Sequence, residues 1–279
     1  MIHHRNLRTL LECHISGGNL HGSRSTVCLG TIVLAIACAM TGSSLAQVTP
    51  DSTKPHIEAK KAPAGQPAAV LIHPALVQVE EDPKLPRVRL IGDSITMGYT
   101  QSLREFLKKS ANVQHPTENC GASRRIVEHL DQYLGDKPWD VIQLNCGIHD
   151  LTYLNAAGKV ATPAEGAKVQ VPLDEYRSNL EKIVERLKKT GAKLIWCTTT
   201  PLNKPPAFRL TGDVGRYNDV AYDVMKKHGI QINDLNRQVL KLETPMWASD
   251  GVHFSQDGYR ELAKCAAPVI ETSLPKSKQ

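Results

Sequence analysis

Aromatic residues are scarce in this 279-residue chain: three Phe, three Trp and seven Tyr make up 5% of it. That leaves few rings for base-stacking platforms or for an aromatic-lined sugar cleft. The charge excess is also small. With 34 Lys and Arg against 28 Asp and Glu spread along the chain, the formal net charge is +6, and the concentrated basic stripe that nucleic-acid binding requires is missing. The seven cysteines include no C-x-x-C pair, so the usual paired metal-site signature is absent too. No internal repeat is visible. What remains, at 41% hydrophobic and 22% charged, is the composition of an ordinary soluble globular protein, and it excludes collagen-like, low-complexity and wholly disordered chains.

One long apolar run exists, at the N-terminus. Residues 1–26 are basic and polar, Val27 to Met40 are apolar, and the small residues Ser44 and Ala46 follow. These three parts read as a secretory signal peptide over residues 1–46, cleaved after Ala46, with a secreted or periplasmic product and no stable membrane insertion afterwards. The long basic lead allows a start codon downstream of Met1. A retained membrane anchor is the alternative, and lipidation at Cys38 a third reading, for which Ala35-Ile36-Ala37 is a poor preceding triplet. Cleavage removes Arg5, Arg8, Arg24 and Glu12, leaving 31 basic and 27 acidic residues and a charge of +4. It also removes Cys13, Cys28 and Cys38. Cys120, Cys146, Cys197 and Cys265 remain, and a domain of this size needs no staples, so buried thiols are expected, with Cys120 and Cys146 the one pair open to a disulfide.

Residues 47–87 are rich in Pro, Ala and Lys and read as a flexible tether with an apolar patch near Val70 to Val79 suited to docking. A folded domain is expected over residues 88–275. There, short β-rich runs alternate with amphipathic stretches: Val88–Ile91, then Gly98–Ser110; a weak strand at Val113, then Ser123–Leu134; Val141–Leu144, then Leu173–Thr190; Ala192–Thr199, then Val214–His228; Ile230–Ile232, then Gln256–Thr272. Alternation at this interval implies right-handed crossovers and a parallel sheet covered on both faces. The fold class is α/β: a three-layer α/β/α sandwich around a mostly parallel five-stranded sheet.

Ligands bind at the carboxyl ends of such strands. The residues there are Gly92-Asp93-Ser94, Asn119-Cys120-Gly121-Ala122-Ser123, Asn145-Cys146-Gly147-Ile148-His149-Asp150 and Thr198-Thr199-Thr200-Pro201, with Asp250-Gly251-Val252-His253 before the last helix. Ser94, where strand turns into helix, would project its hydroxyl above the sheet with its N–H at a positive helix end. Asp250 and His253 can share one tight turn, the carboxylate at one ring nitrogen and the other nitrogen free. These are the two partners a serine nucleophile needs. Each segment also has a plainer reading: Gly-Asp-Ser is a good helix cap, and Asp-Gly a common turn beside which His253 simply hydrogen-bonds.

In combination and order, these segments resemble the SGNH or GDSL-type esterase and lipase superfamily, over about Val88 to Thr272. Lesser family-like features are Thr199-Thr200-Pro201, Tyr217-Asn218 and Asp234-Leu235. The resemblance implies a flavodoxin-like sheet, Ser94 as nucleophile, His253 as base, Asp250 as its orienting acid, and no metal or organic cofactor. The family's oxyanion hole maps to the N–H groups of Ser94 and Gly121 and to an asparagine of a Gly-x-Asn-Asp motif. Here that motif reads Gly147-Ile148-His149-Asp150, with histidine in the asparagine's place. The third donor is then either Asn145, two residues before the glycine, or His149. Asn145 is preferred at this point because an amide donates at every pH.

Arg124 and Arg125 follow the second motif, but neighbours on a helix diverge, so at least one is expected in solvent or in an ion pair. The stretches 152–171 and 202–214 flank the site as candidate walls, and Asp93 is expected to order its turn. The implied activity is that of a secreted serine esterase forming an acyl-serine intermediate, acting on carbohydrate O-acetyl groups as small molecules or polysaccharide. Lipolytic or thioester substrates are the alternative within the family, and a non-catalytic binding module is the alternative outside it.

Overall fold

The computed structural model describes residues 72–242 and 246–276; the expected signal peptide and most of the expected tether lie outside these residues. The central sheet has five strands, β1 (Arg87–Ile91), β2 (Asn112–Gln114), β3 (Val141–Leu144), β6 (Lys193–Cys197) and β7 (Gln231–Asn233). All four pairings are parallel, in the order β2-β1-β3-β6-β7. This is the doubly wound flavodoxin-like arrangement, whose winding reverses at β1 and opens a crevice above the carboxyl ends of β1 and β3. A small antiparallel ribbon, β4 (Tyr153–Leu154) with β5 (Lys168–Val169), lies in the stretch read from sequence only as a wall.

The strands read as continuous apolar runs because both faces are covered. Val88, Leu90, Val141, Ile195 and Cys197 face α1 (Ser94–Leu107), α5 (Leu235–Val239) and α6 (Gln256–Glu271). Ile91, Ile142, Leu144, Leu194 and Trp196 face α2 (Ser123–Leu134), α3 (Leu173–Lys188) and α4 (Thr211–Lys227). The expected elements are present, α2 and β3 with the bounds read from sequence. The clearest shift is at α1, which begins at Ser94, not Gly98, because Asp93 caps the helix directly after β1. The short α5 has no signal of its own in the sequence. Cys120, Cys146, Cys197 and Cys265 are free thiols, the first three buried.

Residues 72–86, the last part of the expected tether, are docked on the domain. Arg104 of α1 donates to the carbonyls of Pro74, Ala75 and Val77, and the side chains of Gln114 and Asn112 bond the backbone of Val79 and Asp82. These bonds hold the segment against the outer strand β2.

Gly98 sets how closely α1 and α6 approach. A Cβ at this position would lie 2.1 Å from the Tyr259 ring. Gly98→Ala is therefore expected to push α6 away and destabilise the domain by about 1–3 kcal/mol, the usual range for overpacking, read from urea unfolding. An unchanged midpoint would show that Tyr259 swings aside freely.

Candidate active site

Ser94 is the first residue of α1. The preceding Asp93 is extended, and its Oδ1 accepts from the Ile95 N–H at 2.9 Å. That cap starts the helix at once and leaves Ser94 at its positive end, above the carboxyl end of β1.

The partners come from the turn before α6. Asp250 Oδ1 accepts from the N–H groups of Val252 (3.0 Å) and His253 (2.9 Å), and its Oδ2 meets His253 Nδ1 at 2.6 Å. His253 Nε2 lies 2.8 Å from Ser94 Oγ. An ionised carboxylate only accepts, so Nδ1 carries the ring proton and Nε2 is left to accept from the serine hydroxyl. Burial raises the Asp250 carboxyl, but the His253 ring and the two N–H bonds outweigh it and bring it down to about 2. Gly251 makes the turn possible: its φ is +67°, and a Cβ there would stand 2.0 Å from the Asn203 carbonyl oxygen.

Two further loops complete the crevice, and Asp150 ties them together. Helix α2 has no capping side chain at Ala122. Instead the Ser123 N–H donates to both oxygens of Asp150, at 2.9 and 3.1 Å, from the loop after β3. Asp150 is fully buried, and burial outweighs the Ser123 bonds and pushes its carboxyl up to about 7. Sequence reading gave this residue no role, since a carboxylate capping a helix 27 residues away leaves no local pattern.

The two candidates for the third oxyanion donor, Asn145 and His149, stand in different surroundings. Asn145 is 7% exposed, and its amide donates to the Cys197 carbonyl at 2.8 Å, holding β3 to β6. His149 instead shares with Gly121 the lining of a groove of about 430 Å³, walled also by Arg124, Arg125 and Gln170. Burial lowers the His149 ring below the ordinary histidine value, with Arg209 acting in the same sense and Asp93 opposing. Asp93 is wholly buried and correspondingly raised, against the pull of His149, the Ile95 bond and His253. The Gly121 N–H is held by Asn119 Oδ1 at 2.9 Å.

Arg124 pairs with Glu175 and Arg125 with Glu118, so both arginines are committed to ion pairs. The lesser motifs form a framework under the site. Asn218 bonds the N–H and carbonyl of Thr199, while Asp234 receives the Thr198 and Tyr222 hydroxyls. Among the described residues no group of three or more His, Cys, Asp and Glu is arranged to hold a metal ion. None of the described helices is long and apolar enough to cross a membrane.

The parallel five-stranded sheet is an α/β fold of the SGNH hydrolase type, with the Ser94, His253 and Asp250 hydrogen-bonded chain at its switch point. Residues 90–261 match the model of the GDSL-like lipase/acylhydrolase family, and the chain belongs to that family. It is 26% identical over 214 residues to the human isoamyl acetate-hydrolyzing esterase 1 homolog, covering 68% of this chain and 84% of that one. Among solved structures, a lipase/acylhydrolase from Enterococcus faecalis superposes with TM-score 0.58 at 19% identity, covering 70% of this chain and all of that one. The acetyl xylan esterase AlAXEase superposes with TM-score 0.53 at 17% identity, over 66% and 99%. Ester hydrolysis is the activity this family membership carries.

Asp150 also gives the domain a pH dependence. Its folded pKa of about 7 lies above the ordinary aspartate value of about 4, so the folded state holds the proton more tightly. That contribution to stability is complete below about pH 4 and is lost as the pH rises through about 7. Thermal melts from pH 5 to 8 are expected to fall in midpoint, and Asp150→Asn to flatten the fall. Parallel curves for the two proteins would remove Asp150 as its source.

Proposed function

We propose that this chain is a secreted serine esterase that removes acetyl groups from carbohydrate through an acyl-serine intermediate. The observation that carries the mechanism is the continuous chain from Asp250 through His253 to Ser94 Oγ. His253 Nε2 takes the hydroxyl proton as Ser94 attacks the ester carbonyl, and Asp250 stabilises the imidazolium. The protonated ring then gives its proton to the departing alcohol. Water, activated by the same ring, releases the acid from Ser94.

The developing oxyanion is stabilised by the N–H groups of Ser94 and Gly121 and by His149. Gly121 exchanges its bond with Asn119 for the substrate oxygen. His149 is the third donor in this reading because it lines a groove with Gly121, whereas one N–H of the Asn145 amide is already given to the Cys197 carbonyl. Held below its ordinary pKa by burial, the ring is neutral near pH 7 and donates from one nitrogen.

Export is supported by the N-terminal pattern of residues 1–46. Acetyl as the acyl group passed to Ser94 is supported by the names of two similar proteins, one an isoamyl acetate-hydrolyzing esterase homolog and one an acetyl xylan esterase.

Ser94→Ala is expected to lower turnover of 4-nitrophenyl acetate by about 10⁴ to 10⁶-fold and to abolish labelling by a fluorophosphonate probe. A folded wild-type protein that never labels would instead be a binding module. His149→Ala is expected to cost about 10² to 10³-fold in kcat. Asn145→Ala is expected to act mainly on stability, by about 1–3 kcal/mol for the unpaired carbonyl. A larger kcat loss in Asn145→Ala than in His149→Ala would return the third donor to Asn145. Initial rates on acetyl and octanoyl nitrophenyl esters test the acyl group, and a strong octanoyl preference would point to a lipolytic enzyme.

A further inference from the structure

The loop of residues 202–210 is tied at both ends to segments that carry site residues. At one end the Asn203 N–H donates to the carbonyl of Gly251, beside Asp250. At the other, the Phe208 carbonyl accepts from Tyr153, three residues beyond Asp150. Arg209 lies next to that second tie. Its side chain is half-buried, and its only side-chain hydrogen bond among the described residues runs from Nε to the carbonyl of Ile148, the residue before His149, at 3.3 Å. Both terminal NH₂ groups of the guanidinium therefore lack a protein partner, unlike Arg124 and Arg125, which are paired. The carboxylates within electrostatic reach are Asp93 and Asp250. Asp93 is fully buried and caps α1, Asp250 is bonded to His253, and neither makes an ion pair with Arg209.

This half-exposed guanidinium lies over the Phe208 ring, and with no protein hydrogen bond on its two NH₂ groups it is matched to a planar carboxylate, which it can hold by two parallel bonds. We infer that Arg209 selects esters whose alcohol portion carries a carboxylate, so that the preferred substrate is an O-acetylated sugar acid. This reading rests on the proposed esterase activity and narrows its substrate. The scissile acetyl would sit between Ser94 and His149, with the carboxylate of the sugar on the Arg209 fork. The Ile148 contact alone would make Arg209 a positioning residue for the His149 loop, and that role would affect neutral and anionic esters alike.

The test compares a matched pair of probes, a methyl hexuronoside bearing one O-acetyl group, as the free acid and as its carboxyl methyl ester, with acetate release as the readout. Wild type is expected to favour the free acid by about 10- to 100-fold in kcat/KM, the range for hydrogen bonds to a charged group, and the preference is expected to shrink as salt is raised. Arg209→Gln should collapse the ratio towards one, mainly through KM, and Arg209→Lys should restore part of it. Equal kcat/KM for the two probes with wild type would overturn the inference without needing any variant. So would an Arg209→Gln protein in which both rates fall together, which would leave only the positioning role. Hydrolysis of 4-nitrophenyl acetate without release from either sugar also sinks the inference while leaving the esterase standing. No hydrolysis of any ester and no fluorophosphonate labelling would mean that the esterase reading itself had failed.

Discussion

The close contact of α1 with α6 is the constraint on which the site depends. Ser94 opens α1 and His253 precedes α6, and 159 residues separate them in sequence. A hydrogen bond of 2.8 Å between two such distant groups needs both helices fixed on the same face of the sheet at one separation. Gly98 makes that separation small by leaving room for the Tyr259 ring, and Leu103, Leu107, Leu262, Ala266 and Ile270 bury the apolar surface that holds the pair together. Ser94 and His253 are positioned by ordinary core packing.

The other half of the crevice is held by a single buried carboxylate. Asp150 caps α2 from the loop after β3, so the segment carrying Gly121 and the segment carrying His149 move as one unit. Its burial is expensive, as its raised pKa shows, and the return is a fixed relation between the two loops. Polar groups inside a fold often act in this way, giving one geometry in place of several.

His149 brings a titratable ring to the crevice. An amide is indifferent to pH, but an imidazole beside Asp93, His253 and Arg209 joins a set of mutually interacting charges. Burial keeps His149 neutral, Asp93 draws it the other way, and Arg209 supports the neutral form. The ring and the unfilled guanidinium thus occupy one electrostatic environment.

Much of this was legible in the sequence. The strand and helix periods of Val141–Leu144, Ser123–Leu134 and Leu173–Lys188 come from local burial on one face or two, and the Gly-Asp-Ser and Asp-x-x-His segments carry their own turn chemistry. The α/β class, the parallel sheet and the candidates Ser94, Asp250 and His253 follow from such local patterns. Less legible were the residues whose partners are far away. Asn145 and His149 were both plausible donors on spacing alone, and only the packing of β3 against β6 turned the Asn145 amide towards Cys197. Asp150 ends a motif whose spacing says nothing of its bond to Ser123, and Arg209 stands in unremarkable local sequence. Sequence by itself determined which elements form and which residues stand at the ends of the strands, because those depend on short-range periodicity and capping. Tertiary structure alone decided which of those residues face the crevice and which spend their hydrogen bonds inside the sheet, because each polar group is claimed by its nearest partner in space.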